Sequence, residues 1–273
     1  MKHFKIVFDS VSEIAAYIES NRATHDVSKN GYGSSYDRDE KFRGGSHDDL
    51  IDGLRNGDIK ALAEFTAANV NVELSTIDNI MHSDVSGAYV DMGAFINGAP
   101  ECMVQFSTEE SNRFCDIVCN ISYSADTTHK QMMAKYMYIV KLIDLLERSN
   151  TRCKLTIICY SKGAKKKGKK WTATDDRCDI TVQLKQYSEA LSLGHLLFVC
   201  CNPLFLRGAV NIIQHINLEQ IGFVYAGCCT GNDTVHPACD IYVPSMYADT
   251  RKYLGTDADF KQWVSGMLPM LNS

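Results

Sequence analysis

Asp116-Ile-Val-Cys-Asn-Ile-Ser-Tyr-Ser124, followed by a helical run and the apolar segment Lys154–Tyr160, is the stretch that decides the fold. Ile117, Val118, Cys119 and Ile121 read as a strand that ends in a hydroxyl-rich turn, Asn120 to Ser124. Met132, Tyr136, Ile139, Val140, Ile143 and Leu146 then recur at helical spacing on one face. Strand, crossover helix and second strand make a βαβ unit, which belongs to a mostly parallel sheet covered by helices. In such sheets ligands lie at the carboxyl ends of the strands, so the turn is where a site is expected.

Outward from this unit, residues 3–8 read as a strand and 11–20 as a helix opened by Ser10. Residues 21–45 are polar and rich in Gly, Ser, Asp and Arg, the composition of a loop. Helices are predicted at 46–56 and 58–68, with Ser46 and Asp58 as N-caps and Gly57 between them. Irregular strands are expected over 84–106. Beyond the unit come strands at 178–185, 221–228 and 240–243, helices at 188–200 and 203–216 split by Asn202-Pro203, and a terminal amphipathic helix at 257–271. A composition shift near residue 110 divides the chain into an N-terminal α+β portion, 1–110, packed on an α/β core, 111–273. No segment repeats at a fixed period.

The 273 residues carry a formal charge of −5, with 45% hydrophobic and 22% charged side chains, which excludes wholesale disorder. No apolar run reaches the ~18 residues of a membrane span. Met1–Phe8 lacks the apolar core of a signal peptide. The expectation is a cytoplasmic protein with no membrane partner. Eleven cysteines in such a chain are expected to be free core thiols.

Asn120, Ser122 and Ser124, ending a strand before a long helix, resemble the opening of a von Willebrand factor A domain. That family has a doubly wound sheet and a metal-ion-dependent adhesion site with the signature Asp-x-Ser-x-Ser, completed by a distant Thr and Asp. The resemblance implies a fold of that kind and a magnesium-type site at Asn120, Ser122 and Ser124. Asn120 stands where the family has aspartate, and a hard cation favours carboxylate ligands, so weak or absent metal binding is expected and no cofactor is assigned. Thr172, Thr174, Asp175, Asp176, Asn202 and Asp233 are the residues available as distant partners. Three further segments, Phe42-Arg-Gly-Gly-Ser46, Asn97-Gly-Ala-Pro-Glu-Cys-Met103 and Asn202-Pro-Leu-Phe-Leu-Arg207, are similar to a bacteriophage and prophage family with A-like cores. This implies a phage origin and an infected bacterial host.

Lys162, Lys165, Lys166, Lys167, Lys169 and Lys170 precede Trp171, and removing these six takes the formal charge from −5 to −11. A lysine-rich loop over 162–171 on an acidic body suits contact with phosphates, with Trp171 stacking on a base of single-stranded nucleic acid. The phosphate-loop pattern is absent, because Lys170 stands where Ser or Thr must hold magnesium. Asp126 is the expected cap of the long helix, with His129 in its first turn. His236, Asp233 and Cys239 match no zinc spacing, and Ser122 or Ser124 with His129 lacks the elbow and the orienting acid of a hydrolase. The reading is a non-enzymatic interaction module with a protein partner. Its alternatives are a nucleic-acid-associated factor using 162–171 and a metal-dependent hydrolase.

Overall fold

The computed structural model describes residues 2–21, 43–68, 81–84, 89–90, 92, 96–97, 103–106, 113–123, 127–148, 151–167, 170–217, 220, 224–228 and 238–245. Its main sheet is built on β5 (Arg113–Asn120), whose last four residues are buried. On one side lies β6 (Thr151–Lys167), parallel and in register from Arg113↔Thr151 to Asn120↔Ile158. On the other lies β9 (Ile241–Val243), also parallel. β7 (Lys170–Lys185) returns antiparallel along β6, and β1 (His3–Phe8) joins parallel to β7. The order is β1-β7-β6-β5-β9, with β8 (Val224–Cys228) pairing antiparallel to the far part of β6. Three of these five pairings are parallel, and the chain is mixed α/β. Asp116 holds β9 in place: its N–H donates to Asp240 Oδ2 at 2.7 Å and its carbonyl accepts from Asp240 N–H at 3.0 Å.

The helices are α1 (Val11–Ser20), α2 (His47–Asn56), α3 (Ile59–Ala68), α4 (His129–Arg148), α5 (Leu193–Cys201) and α6 (Val210–Ile216). Ser46 caps α2 in a reciprocal box with Asp49, and Asp58 accepts from Ala61 N–H at the start of α3, as their positions in the sequence predict. Thr128 caps α4, since Gln131 N–H donates to Thr128 Oγ1 at 3.3 Å and Thr128 N–H to Gln131 Oε1 at 2.9 Å, while Asp126, the expected cap, lies outside the described residues. Thr-x-x-Gln is a capping box in its own right. After α5 the chain breaks at Asn202-Pro203, where Asn202 Oδ1 accepts from Leu204 N–H, and resumes through a π-helical turn, Phe205–Ala209, into α6.

α4 carries no glycine or proline over its 20 residues and buries Met132, Tyr136, Ile139, Leu142, Ile143 and Leu146. Each such side chain contributes ~1.5–3 kcal/mol relative to exposure. They join one hydrophobic cluster with α1, α2, α5, α6 and the Cys115, Ile117 and Cys119 face of β5. The opposite face carries a small cluster, Val118, Ile158 and Tyr160, with Cys239 and Tyr242 against it. The predicted terminal helix, 257–271, and the polar segment 22–42 lie outside the described residues. The irregular strands form a separate three-stranded antiparallel sheet, β2 (Met81–Asp84), β4 (Met103–Phe106) and β3 (Tyr89–Val90).

The lysine-rich stretch is corrected from a loop to a β-hairpin. β6 and β7 pair through Lys165↔Thr172, Lys166↔Trp171 and Lys167↔Lys170. Its sequence has no apolar alternation to announce a strand; the ladder carried up from the buried sheet extends it. No single helix among the described residues is long and apolar enough to cross a membrane. Eight cysteines whose side chains are described are free thiols: seven buried, with Cys239 half-buried.

Candidate functional site at the end of the central strand

The chain leaves β5 through α4 to reach β6 on one side, while β9 lies on the other side of β5. The crevice between the carboxyl ends of β5 and β9 is therefore a topological switch point, the place where sheets of this kind admit ligands. Asn120 and Ser122 lie there and are both 0% exposed. The Asn120 amide is used at both ends: Oδ1 accepts from Ser122 N–H at 3.0 Å, closing an Asx turn, and Nδ2 donates to Tyr242 Oη at 3.2 Å. Ser122 Oγ is buried with no hydrogen-bond partner among the described residues. Ser124, Asp126, Asp233 and His236, and the side chain of His129, fall outside them.

The crevice contains a cation that the sequence reading missed. Lys135, nearly two turns into α4 and 3% exposed, places its ammonium against main-chain carbonyls, donating to Pro244 O at 2.6 Å and reaching Asn120 O at 3.5 Å. Its charge extends into the core. Burial pushes the Cys119 thiol up to about 12, and Lys135 acts against that rise; Cys200 and Cys201 are likewise raised by burial and opposed by Lys135. The signal was present in the sequence. Lys135 stands three residues after Met132 and four before Ile139, on the apolar stripe, where a lysine has to find partners.

Of the residues available as distant partners, Thr174, Asp176 and Asn202 are described and lie away from this crevice, whereas Asp233 and the side chains of Thr172 and Asp175 fall outside the described residues. Thr174 Oγ1 donates to Asp176 Oδ2 at 3.1 Å, and Asp176 Oδ1 accepts from Lys2 N–H at 2.7 Å, so both serve the β1–β7 edge. Asn120 pairs Ile158, which pairs Thr181. Two strands across and five residues along, Asp176 is roughly 20 Å from Asn120 by strand geometry. Asn202 is engaged elsewhere, donating to Asp58 Oδ2 at 2.8 Å. Among the described residues no group of three or more His, Cys, Asp and Glu side chains is placed to hold a metal. His195 bridges Ser192 Oγ and the Arg55 carbonyl, a packing role.

The hairpin projects from the same edge as the crevice. β5 ends opposite Ile158, and β6 continues to Lys167. Nine further residues reach up to ~30 Å beyond that end at strand rise.

No curated protein and no solved structure matches the chain. A family model does, over residues 1–265: the chain belongs to the family described as a domain of unknown function, DUF7192.

Proposed function

We propose that this DUF7192 chain is a non-enzymatic, phage-encoded protein-interaction module on a von Willebrand A-like core, contacting its partner through the edge at the carboxyl ends of β5, β6 and β9. The observation that carries the reading is the seat of Lys135. An ammonium held by the Pro244 and Asn120 carbonyls supplies fixed positive charge at the strand end where the A-domain family holds a divalent cation. The crevice thus has its charge built in, and a divalent ion entering it meets repulsion and an amide in place of a carboxylate. The order β7-β6-β5 with β9 beyond supports the A-like core, since third, second and first strands followed by a reversal begin a doubly wound sheet. A non-enzymatic role is supported by Asn120, whose amide is committed at both ends, and by Ser122, whose hydroxyl is sealed from solvent.

Calorimetric titration of the full chain with magnesium and manganese tests the site. No binding is expected in the micromolar range, and the pair Asn120→Asp with Lys135→Met is expected to create it. The interaction is tested by capture from host lysate. A partner held equally in EDTA and in magnesium, and lost on Arg207→Glu beside Tyr123, is expected (the guanidinium lies 6.0 Å from that ring's centroid). Micromolar magnesium affinity in the unmodified chain, or ester or phosphodiester turnover abolished by Ser122→Ala, would refute the reading.

A further inference from the structure

We infer that the tip of the β6–β7 hairpin is a nucleic-acid-binding ribbon that seats in the major groove of duplex DNA. The inference rests on where the ladder places the lysines, and it is independent of the reading of the crevice. β1 pairs β7 only from Arg177 onward, and β8 pairs β6 only as far as Ala164. The last three rungs, Lys165↔Thr172, Lys166↔Trp171 and Lys167↔Lys170, are therefore a ribbon of two strands alone among the described residues. Four of their six positions are lysine. Residues 162–174 contain no Asp or Glu, so the tip brings no counter-charge of its own, and Lys167 stands directly opposite Lys170. Like charges opposed across a ladder destabilise it, and a lone two-stranded hairpin is marginal in water. Local stability does not account for this composition; a polyanion that neutralises the rungs does.

The geometry selects the polyanion. Two strands ~4.8 Å apart with their side chains fit the ~12 Å major groove of B-form DNA, which admits a two-stranded ribbon. The major groove of A-form RNA is too narrow. A single strand is held by several stacking aromatics in a charged groove, and the three rungs offer one aromatic, Trp171. The acidic remainder of the chain, at −11 without the six lysines, repels phosphate and confines contact to the tip.

Fluorescence anisotropy of a labelled 20-base-pair duplex with the full chain, from 50 to 200 mM salt, tests the assignment. Four neutralised phosphates give a log–log slope of about −3.6, a loss of about 150-fold across that range. The fourfold variant Lys165→Gln, Lys166→Gln, Lys167→Gln and Lys170→Gln is expected to lose both binding and slope. Its fourfold Arg counterpart is expected to keep them, which separates charge from folding. Lys166→Gln alone is expected to shallow the slope by about 0.9. The inference is overturned by absence of binding at 50 mM salt or by a slope unmoved in the Gln variants. It is equally overturned by tighter binding to the single strand, to duplex RNA or to phosphatidylserine vesicles.

Discussion

Lys135→Met isolates what the internal ammonium contributes, because methionine keeps most of the aliphatic stem and removes the charge. The 2.6 Å bond to Pro244 O is charge-assisted, and such bonds contribute about 1.5–3 kcal/mol. The 3.5 Å approach to Asn120 O is at the limit of a hydrogen bond and counts for little. Repacking a volume-conserving apolar stem costs less than about 1.5 kcal/mol. The opposing term is relief of a buried charge, several kcal/mol for a fully enclosed ion. The Lys135–Pro244 bond is only part-buried, so removing the charge recovers only part of that relief. The net expectation is a loss of about 2 kcal/mol, which lowers Tm by roughly 4–8 °C in a chain of this size. Urea unfolding followed by tryptophan emission, with an unchanged m-value, measures it. A variant that melts at or above the unmodified protein refutes the reasoning. It would mean that the carbonyls return less than desolvation takes, and that Lys135 costs stability.

Gly57 has φ 75° and ψ −178°, a region open in practice only to glycine, and a Cβ there would lie 2.4 Å from Gly194 C and 2.7 Å from His195 N. Gly57→Ala is expected to cost about 3 kcal/mol or more, read as a drop in the urea midpoint; a change below 1 kcal/mol contradicts the close packing of α2 on α5. Burial raises the Cys119 and Cys178 thiols from 9.0 to about 12. Folded-state values above the unfolded ones leave stability intact below pH 9 and erode it from there towards pH 12, by about 1.4 kcal/mol per pH unit for each thiol. Urea midpoints at pH 8, 9 and 10 are expected to fall, less steeply in Cys119→Val. In native protein at pH 8 a thiol-specific disulfide reagent is expected to modify Cys239 first among the described thiols; early labelling of Cys200 or Cys201 in peptide mass spectra would contradict their burial.

The parts of the fold legible in the sequence are those with an unbroken periodic signal. Strand β5, helix α4 and strand β6 appear where Ile117–Ile121, Met132–Leu146 and Lys154–Tyr160 place them, and the caps Ser46 and Asp58 act as their chemistry requires. The hairpin was illegible because Lys165–Lys170 offers no alternation of apolar and polar residues. Its strand state comes from a register set by Ile157–Tyr160 against Asp179–Val182. At the site, Asn120 and Ser122 were legible as a turn. Lys135 was hidden within a stripe of otherwise apolar residues, and its partner Pro244 lies 109 residues away, a separation no local pattern encodes.

The pairing of β1 with β7 joins His3 to Arg177, so the first strand of the chain waits for a partner that does not yet exist when it leaves the ribosome. At ~5–20 residues per second that wait is roughly 9–35 s. Meanwhile the α1 residues Val11, Ile14, Ala15 and Ile18, buried in the finished protein, have no sheet to cover. Folding is gated by synthesis: the last strand of the path, β9, emerges still later and closes β5 only then. A nascent chain paused before residue 170 holds β1 without its edge, a ready template for another strand.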